Sequence, residues 1–364
     1  MTTESKLEKE KLIILKWKYD STDESIIFPY LIKPTLDSVA KLIPYSVSAN
    51  IITLLGFMFT IINFILCVYK VSNKIEFTLI DNIIIAINSL TAYYLDALDG
   101  CQGRKWKKDK RDIYVLTQLF DHGFDSMTAI LNTLIMGKAL KFDSFYTFIV
   151  FGMLNYTFMI SSLDYKIHKK MFFGFFSNPT ESVVTCNLIV ILVGYVGHSI
   201  KIINYIFLAI FIGNIITNLT TSLKGFKYTK HKEEKYEIII NFFLIGLTFL
   251  LKDEFLNDDP KLTQRKVLYY VCYSLILHIA SLNYIAHEIL YTHCYHKNLL
   301  LLVLGSLPII LPKSVETSFM YILCGALVLY ACSVWRNYTN KICKALGINY
   351  FWSIPKIGNN PYSE

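Results

Sequence analysis

Four of the six aspartates in the stretch 96–125 fall in two closely spaced pairs, Asp96 with Asp99 and Asp121 with Asp125, and His122 stands among them. The sequence on either side is too apolar for a water-soluble surface, and a charged side chain kept in such surroundings is costly. Asp96 and Asp99 are three residues apart, and Asp121 and Asp125 are four apart. On helices each pair shares one face, so two facing helices would bring four carboxylates to one point. Hard oxygen donors of this kind suit Mg2+ or Mn2+, which take few carboxylates and fill the remaining positions with water and phosphate oxygens. Four carboxylates can hold two such ions. Gly100 and Gly103 allow a phosphate close to the backbone, and the planar guanidinium of Arg104 suits a diphosphate. A lone Asp in this stretch would read as a helix cap or a solvated loop charge. The constellation reads as a metal–diphosphate site at a membrane surface.

The elements that must carry these residues are membrane helices. The chain has 364 residues, 54% hydrophobic and only 18% charged, with a mean hydropathy of +0.42, which excludes an ordinary soluble domain. The sequence predicts an all-α polytopic bundle of about ten transmembrane helices, at residues 46–69, 78–98, 114–136, 144–163, 182–197, 202–222, 236–251, 267–290, 298–312 and 317–335. The second ends on Asp96 and Asp99. The third carries Gln118, Asp121, His122 and Asp125 in its first turns. Residues 1–42 read as a cytosolic, interfacial amphipathic segment, 43–345 as the membrane domain and 346–364 as a cytosolic tail. Lysines gather in alternate loops, which places both termini and the acidic cluster on the cytosolic side. The net charge of +8 arises from these flanking lysines, so the partner it implies is the lipid bilayer and not nucleic acid. None of the eight cysteines forms a CxxC pair, so neither a disulfide framework nor a zinc site is expected, and His293, Cys294 and His296 are too few ligands for one. No signal peptide, retention signal or lipidation signal is legible at the ends.

The words around the acids resemble the CDP-alcohol phosphotransferase family, whose signature is D-x2-D-G-x2-A-R, a spacer, then G-x3-D-x3-D. Asp96, Asp99, Gly100, Arg104, Asp121 and Asp125 fall on it. LDGCQGR, LFDHGFDS, YDSTDESIIFPYLIKP and SANIITLLGF are most similar to the eukaryotic choline and ethanolamine phosphotransferases. The likeness is good from about Tyr19 to Asn178. Gly103 stands where the family has Ala, Thr117 where it has its second Gly and Gln118 where this branch has Glu, and the spacer after Arg104 is longer and rich in Lys.

The resemblance implies a transferase that moves phosphocholine or phosphoethanolamine from CDP-choline or CDP-ethanolamine to diacylglycerol, releasing CMP. It implies Mg2+ or Mn2+, two ions, on Asp96, Asp99, Asp121 and Asp125, with Asn50, Gly100 and Arg104 on the CDP-alcohol. Asn50 matches the family's P-N-x-x-T word, with Ala49 for Pro. Gln118, Asp121, His122 and Asp125 form one helical stripe. His122 is the preferred general base and Asp125 the other candidate, with Gln118 orienting His122 in place of the branch's Glu. An endoplasmic reticulum or Golgi membrane is the expected location, with the active site facing the cytosol. A homodimer is left open. The alternatives are another family activity, such as an inositol-phospholipid synthase, a non-catalytic relative, or a cation-coupled transporter, for which the chain lacks visible inverted repeats. NPTES at 178–182 and IAHE at 285–288 resemble family segments that either line a lipid pocket or pack helices.

Overall fold

A computed structural model of the chain describes residues 20–108, 114–142, 170–173, 178–228, 235–240, 263–290, 295–310 and 313–347, with isolated positions between 146 and 168 and at 243. Residues 1–19, the Lys-rich spacer 109–113 and the tail beyond 347 lie outside the described residues, as do most of the expected spans 144–163 and 236–251.

The protein is an all-α membrane protein. A short strand β1 (Ser21–Asp23) and a π-helical turn (Phe28–Ile32) lead into α1 (Lys33–Leu42). Then come α2 (Ala49–Ser72), α3 (Leu79–Lys108), α4 (Tyr114–Ala139), a second short strand β2 (Met171–Phe173) and α5 (Pro179–Val196). The remaining described helices are α6 (Lys201–Tyr228), α7 (Thr263–Ile289), α8 (Tyr295–Ile310) and α9 (Lys313–Leu346). Four of them are long and apolar enough to cross a membrane: α2, α5, the Leu268–Ile289 part of α7 and the Ser318–Leu346 part of α9. Among the described residues, the one feature outside the all-α expectation is the three-residue parallel pair β1–β2, in which Ser21 pairs with Met171.

The first helical hairpin is set by its turn. Thr78 and Asp81 exchange side-chain-to-backbone hydrogen bonds at the start of α3, a reciprocal cap that satisfies free N–H groups. Lys70 at the end of α2 reaches the same carboxylate at 2.7 Å. Along the hairpin α2 turns Leu54, Leu55, Met58, Ile62 and Ile65 outward and buries Asn50, Thr53, Thr60 and Asn63. That pattern suits a helix whose solvent is lipid. The inward polar groups find partners across helices: Asn63 donates to the Ile85 carbonyl and accepts from Asn88, while Asn82 donates to the carbonyls of Ala139 and Val190.

α4 joins two groups of helices. It packs on α2 and α3 on one side and on α7 and α9 on the other. α7 is the most enclosed apolar helix, with 89% of its best apolar window buried. Its flanks α8 and α9 complete the larger core, which includes Tyr284, Ile276, Leu327 and Ile342. At the amino-terminal end of the described residues, α1 buries Leu36 and Ala40 and exposes Leu42, with Tyr30 and Leu31 exposed just before it.

Candidate active site

α3 does not stop where the apolar run stops. The expected span ended at 98, but the helix continues to Lys108 and holds the whole DALDGCQGR word within it. The extension is anchored by polar contacts with the α1–α2 connection. Gln102 Nε2 donates to the carbonyls of Pro44 and Val47, both at 2.9 Å, and Lys105 Nζ donates to those of Ala40 and Ile43. The Lys105 bonds take carbonyls at and just past the end of α1, and the Gln102 bonds take those of the turn that follows. They also fix the rotation of α3, and with it the direction of Asp96 and Asp99.

The structure brings the two acidic pairs together. One carboxylate oxygen from each of Asp96, Asp99 and Asp121 lies within 4.8 Å of the other two. Asp125 is close enough to Asp96 to act on it electrostatically. Asp125 also lies 3.6 Å from His122, measured from Oδ2 to Nδ1. Gln118 Nε2 reaches Asp121 Oδ2 at 3.5 Å, at the outer limit of a hydrogen bond. So Gln118, Asp121, His122 and Asp125 do form one stripe on α4, and it faces the α3 pair. Arg104 is close enough to act electrostatically on Asp99 and Asp121. Its guanidinium folds back over Gly100, with Nη1 3.2 Å from the place a Cβ would occupy, and donates to Cys101 Sγ. Gly103 sits buried on the same helix, and Asn50 is buried at the start of α2. Thr117, on the departure from the family pattern, is fully buried with no hydrogen-bond partner for its hydroxyl among the described residues.

A residue of α2 that the sequence reading did not name, Thr53, completes the site. Thr53 on α2 donates its hydroxyl to Asp99 Oδ2 and sits one turn after Ala49. It is the Thr of the P-N-x-x-T word, so its signal was present in the sequence. The close approach that allows this contact depends on Gly56, where a Cβ would stand 3.1 Å from the Ala92 carbonyl and 3.3 Å from Leu95 Cβ. Gln102 and Lys105 were missed for a different reason: their partners are backbone carbonyls, which no residue pattern marks.

The donor set fits a divalent cation. At separations near 4 Å two like charges repel by about 4 kcal/mol at an effective dielectric of about 20, so bare carboxylates would move apart. Asp99 Oδ1 is buried with no partner among the described residues, and so is Gln118 Oε1. Buried acceptors without donors are expensive. A hard cation held by Asp96, Asp99 and Asp121 satisfies the free Asp99 oxygen and cancels the repulsion.

The two other family-like words lie apart from the acids. In NPTES, Asn178 caps α5 by accepting from the Thr180 N–H, with Pro179 at the first helical position. Glu181 Oε1 accepts from Ser25 Oγ and from the backbone N–H of Ile26 and Ile27, fastening the amino-terminal segment to the bundle. Tyr93, one turn before Asp96, meets Thr180 at 2.5 Å. In IAHE, His287 meets Tyr338 of α9 at 2.9 Å, which is helix packing.

No family model matches the chain. It is similar to several known proteins. One is an uncharacterised CDP-alcohol phosphatidyltransferase class-I family protein of Schizosaccharomyces pombe, 31% identical over 172 residues, which are 46% of this chain and 43% of that protein. Another is choline/ethanolaminephosphotransferase 1 of Saccharomyces cerevisiae, 26% identical over 56% of this chain and 52% of that protein. A third is choline/ethanolaminephosphotransferase 2 of Arabidopsis thaliana, 32% identical over 34% of this chain and 31% of that protein. The chain thus spans about half the length of the relatives it matches, or less.

Proposed function

We propose that the chain, similar over about half its length to CDP-alcohol phosphatidyltransferase class-I and choline/ethanolaminephosphotransferase proteins, is a member of that family and transfers phosphocholine or phosphoethanolamine from the CDP-alcohol to diacylglycerol. The observation that carries this reading is the convergence of Asp96, Asp99 and Asp121 within 4.8 Å across two helices. A cluster of carboxylates in an integral membrane protein has little use without a cation, and a cation held there would supply charge neutralisation for a phosphate.

Asp96, Asp99 and Asp121 would hold the ions, with Asp125 completing the second position. When bound, Mg2+ or Mn2+ supplies charge neutralisation for the diphosphate. Arg104 binds the diphosphate from the solvent end of α3, and Asn50 and Gly100 accommodate the nucleotide side. His122 takes the proton of the diacylglycerol hydroxyl. The oxygen so released forms a bond to the phosphorus that bears the headgroup, the bridging P–O bond breaks, and CMP leaves. Asp125, at 3.6 Å, holds His122 in place and stabilises the charge that forms on it. Gln118 sits beside Asp121 and keeps the stripe in register, with an amide where the branch carries a carboxylate.

Ten membrane spans with both termini cytosolic, a membrane domain over 43–345, and an endoplasmic reticulum or Golgi location with the site facing the cytosol complete the proposal. The second reading within the family, an inositol-phospholipid synthase, lacks the support of LFDHG. The test is a membrane assay with labelled CDP-choline and CDP-ethanolamine, with and without Mn2+ or Mg2+, beside Asp121→Asn. Labelled phospholipid that needs the metal and disappears in the variant is expected. Product that survives both treatments overturns the proposal, and metal-dependent uptake of solute without product favours a transporter.

A further inference from the structure

Gly123 stands between the histidine and the last aspartate of the D-H-G-F-D word, and the chemistry proposed above has no use for a glycine there. Its neighbour across the bundle explains it. A Cβ on Gly123 would lie 2.3 Å from Cη2 and 2.5 Å from Cζ2 of Trp335 on α9. At such distances something must shift, either the indole out of its packing or one of the two helices. Phe120 and Phe124 pack on the same indole, with ring centroids 5.3 and 5.6 Å away.

The indole is locked in turn. Trp335 Nε1–H donates to His278 Nε2 at 3.0 Å. An indole nitrogen only donates, so His278 Nε2 carries no proton and its ring proton is on Nδ1. That proton goes to Ser126 Oγ, 2.5 Å away. The Ser126 hydroxyl then donates to the Gly123 carbonyl at 2.8 Å. Each proton has one place to be, and the chain of bonds returns to the glycine on which the indole rests. Ser126 and His278 are 3% and 1% exposed, so water does not compete.

The direction of this contact matters. At about 100° per residue, Gly123 falls roughly opposite the midpoint of Asp121 and Asp125 on α4, and Ser126 lies on the flank. Trp335 therefore meets the back of the helix whose front carries the acids, while the Ser126–His278 bond resists rotation. With side-chain oxygens about 6 Å from the helix axis, a rotation of about 10° moves a carboxylate by about 1 Å. A displacement of about 1 Å can cost about 100-fold in rate.

We propose that Trp335, His278 and Ser126 are positioning residues that, through Gly123, set the depth and rotation of α4 and so aim Asp121, His122 and Asp125 at α3. This rests on reading the site as a metal-dependent transferase. It assigns the α7–α9 group a part in catalysis although none of these three side chains touches substrate.

The test uses the full chain in lipid nanodiscs with two readouts: Mn2+ binding followed by electron paramagnetic resonance, and transfer from CDP-choline to diacylglycerol. Gly123→Ala is expected to raise the Mn2+ half-saturation and to lower transfer by about 100-fold in the protein that remains folded. Phe lacks the ring atoms that would clash, so Gly123→Ala with Trp335→Phe should recover about tenfold of that loss. Trp335→Phe alone should raise the Mn2+ half-saturation severalfold, and it serves if Gly123→Ala does not fold. The proposal is overturned if folded Gly123→Ala binds Mn2+ and turns over like the natural protein, if the double variant is no better than the single one, or if Trp335→Phe leaves Mn2+ binding unchanged. Natural protein that binds Mn2+ and transfers nothing would sink the reaction assignment, leaving the clamp to be judged on the Mn2+ curves. Natural protein that binds no Mn2+ would sink both.

Discussion

Two of the buried polar regions among the described residues are built on opposite principles. Between α7, α8 and α9, Lys297 Nζ donates to Tyr338 Oη at 2.8 Å, and Tyr338 Oη donates to Asn283 Oδ1 at 2.9 Å. Because the phenol has a single proton, His287 Nε2 must be a donor to the same oxygen, and Asn283 Nδ2 passes a bond on to Asn298. Donors and acceptors alternate through the set. Between α3 and α4, by contrast, the carboxylates of Asp96, Asp99, Asp121 and Asp125 gather, and Asp99 Oδ1 has no donor among the described residues. The first region uses polarity to hold helices together where water is absent. The second carries a charge that the fold does not cancel, and such an imbalance marks the place where a ligand belongs.

The strongest way to break this comparison is Asp99→Asn. Asn can still accept from Thr53, so the packing survives, but the cluster loses a charge and a metal ligand. Transfer should fall by at least about 100-fold, as when a group that acts on the transition-state charge is removed. With divalent ions chelated, the variant should be more stable than the natural protein, by about 1–3 kcal/mol, because one uncompensated buried charge is gone. Both follow from thermal unfolding in chelator beside the transfer assay. A variant that is inactive and also less stable in chelator would mean that the cluster is structural, like the other region.

Thr53→Val is next. It removes the hydroxyl bonded to Asp99 Oδ2 at nearly constant volume, leaving both carboxylate oxygens unheld. Loss of a group that orients a metal ligand typically costs about 10–100-fold in metal affinity. The Mn2+ concentration for half-maximal transfer should rise by that factor, with the rate at saturating Mn2+ falling less. A drop in rate with no change in Mn2+ dependence would show that Thr53 does not act through Asp99.

What could be read in advance follows the same division. The acids were legible because charge in an apolar run is rare and the three- and four-residue spacings fix a face. Their convergence then needed only that two helices meet. The membrane bundle was legible from runs such as Ile51–Val71, where hydropathy alone decides. The continuation of α3 to Lys108 was not, because hydropathy falls at 98 while helix formation depends on Gln102 and Lys105 finding the carbonyls of residues 40–47. The short β1–β2 pair and the Glu181 fastening were hidden for a related reason: each joins segments some 150 residues apart. Gly123 with Trp335 is the extreme case. The glycine was visible in its word, but its reason stands 212 positions later on another helix.

The smallest effect on the site should come from the balanced region. Tyr338→Phe keeps the ring, which packs edge-on to His287 and under Lys297. It removes the oxygen that receives Lys297 and His287 and that serves Asn283. Each of these then loses one partner in a setting where Asn283 is fully buried. Leaving buried polar groups short of a partner costs about 1–3 kcal/mol, so the thermal midpoint should fall by an amount that thermal unfolding can resolve. The Mn2+ half-saturation of the folded protein should stay the same, since Tyr338 meets α7 and α8 and is one turn beyond Trp335 on α9. If Tyr338→Phe instead shifts Mn2+ binding as Trp335→Phe is expected to, the two regions are one coupled unit, and the contrast between holding and binding fails. If it leaves both stability and Mn2+ binding unchanged, the bonds at Tyr338 are not what holds α7, α8 and α9 together.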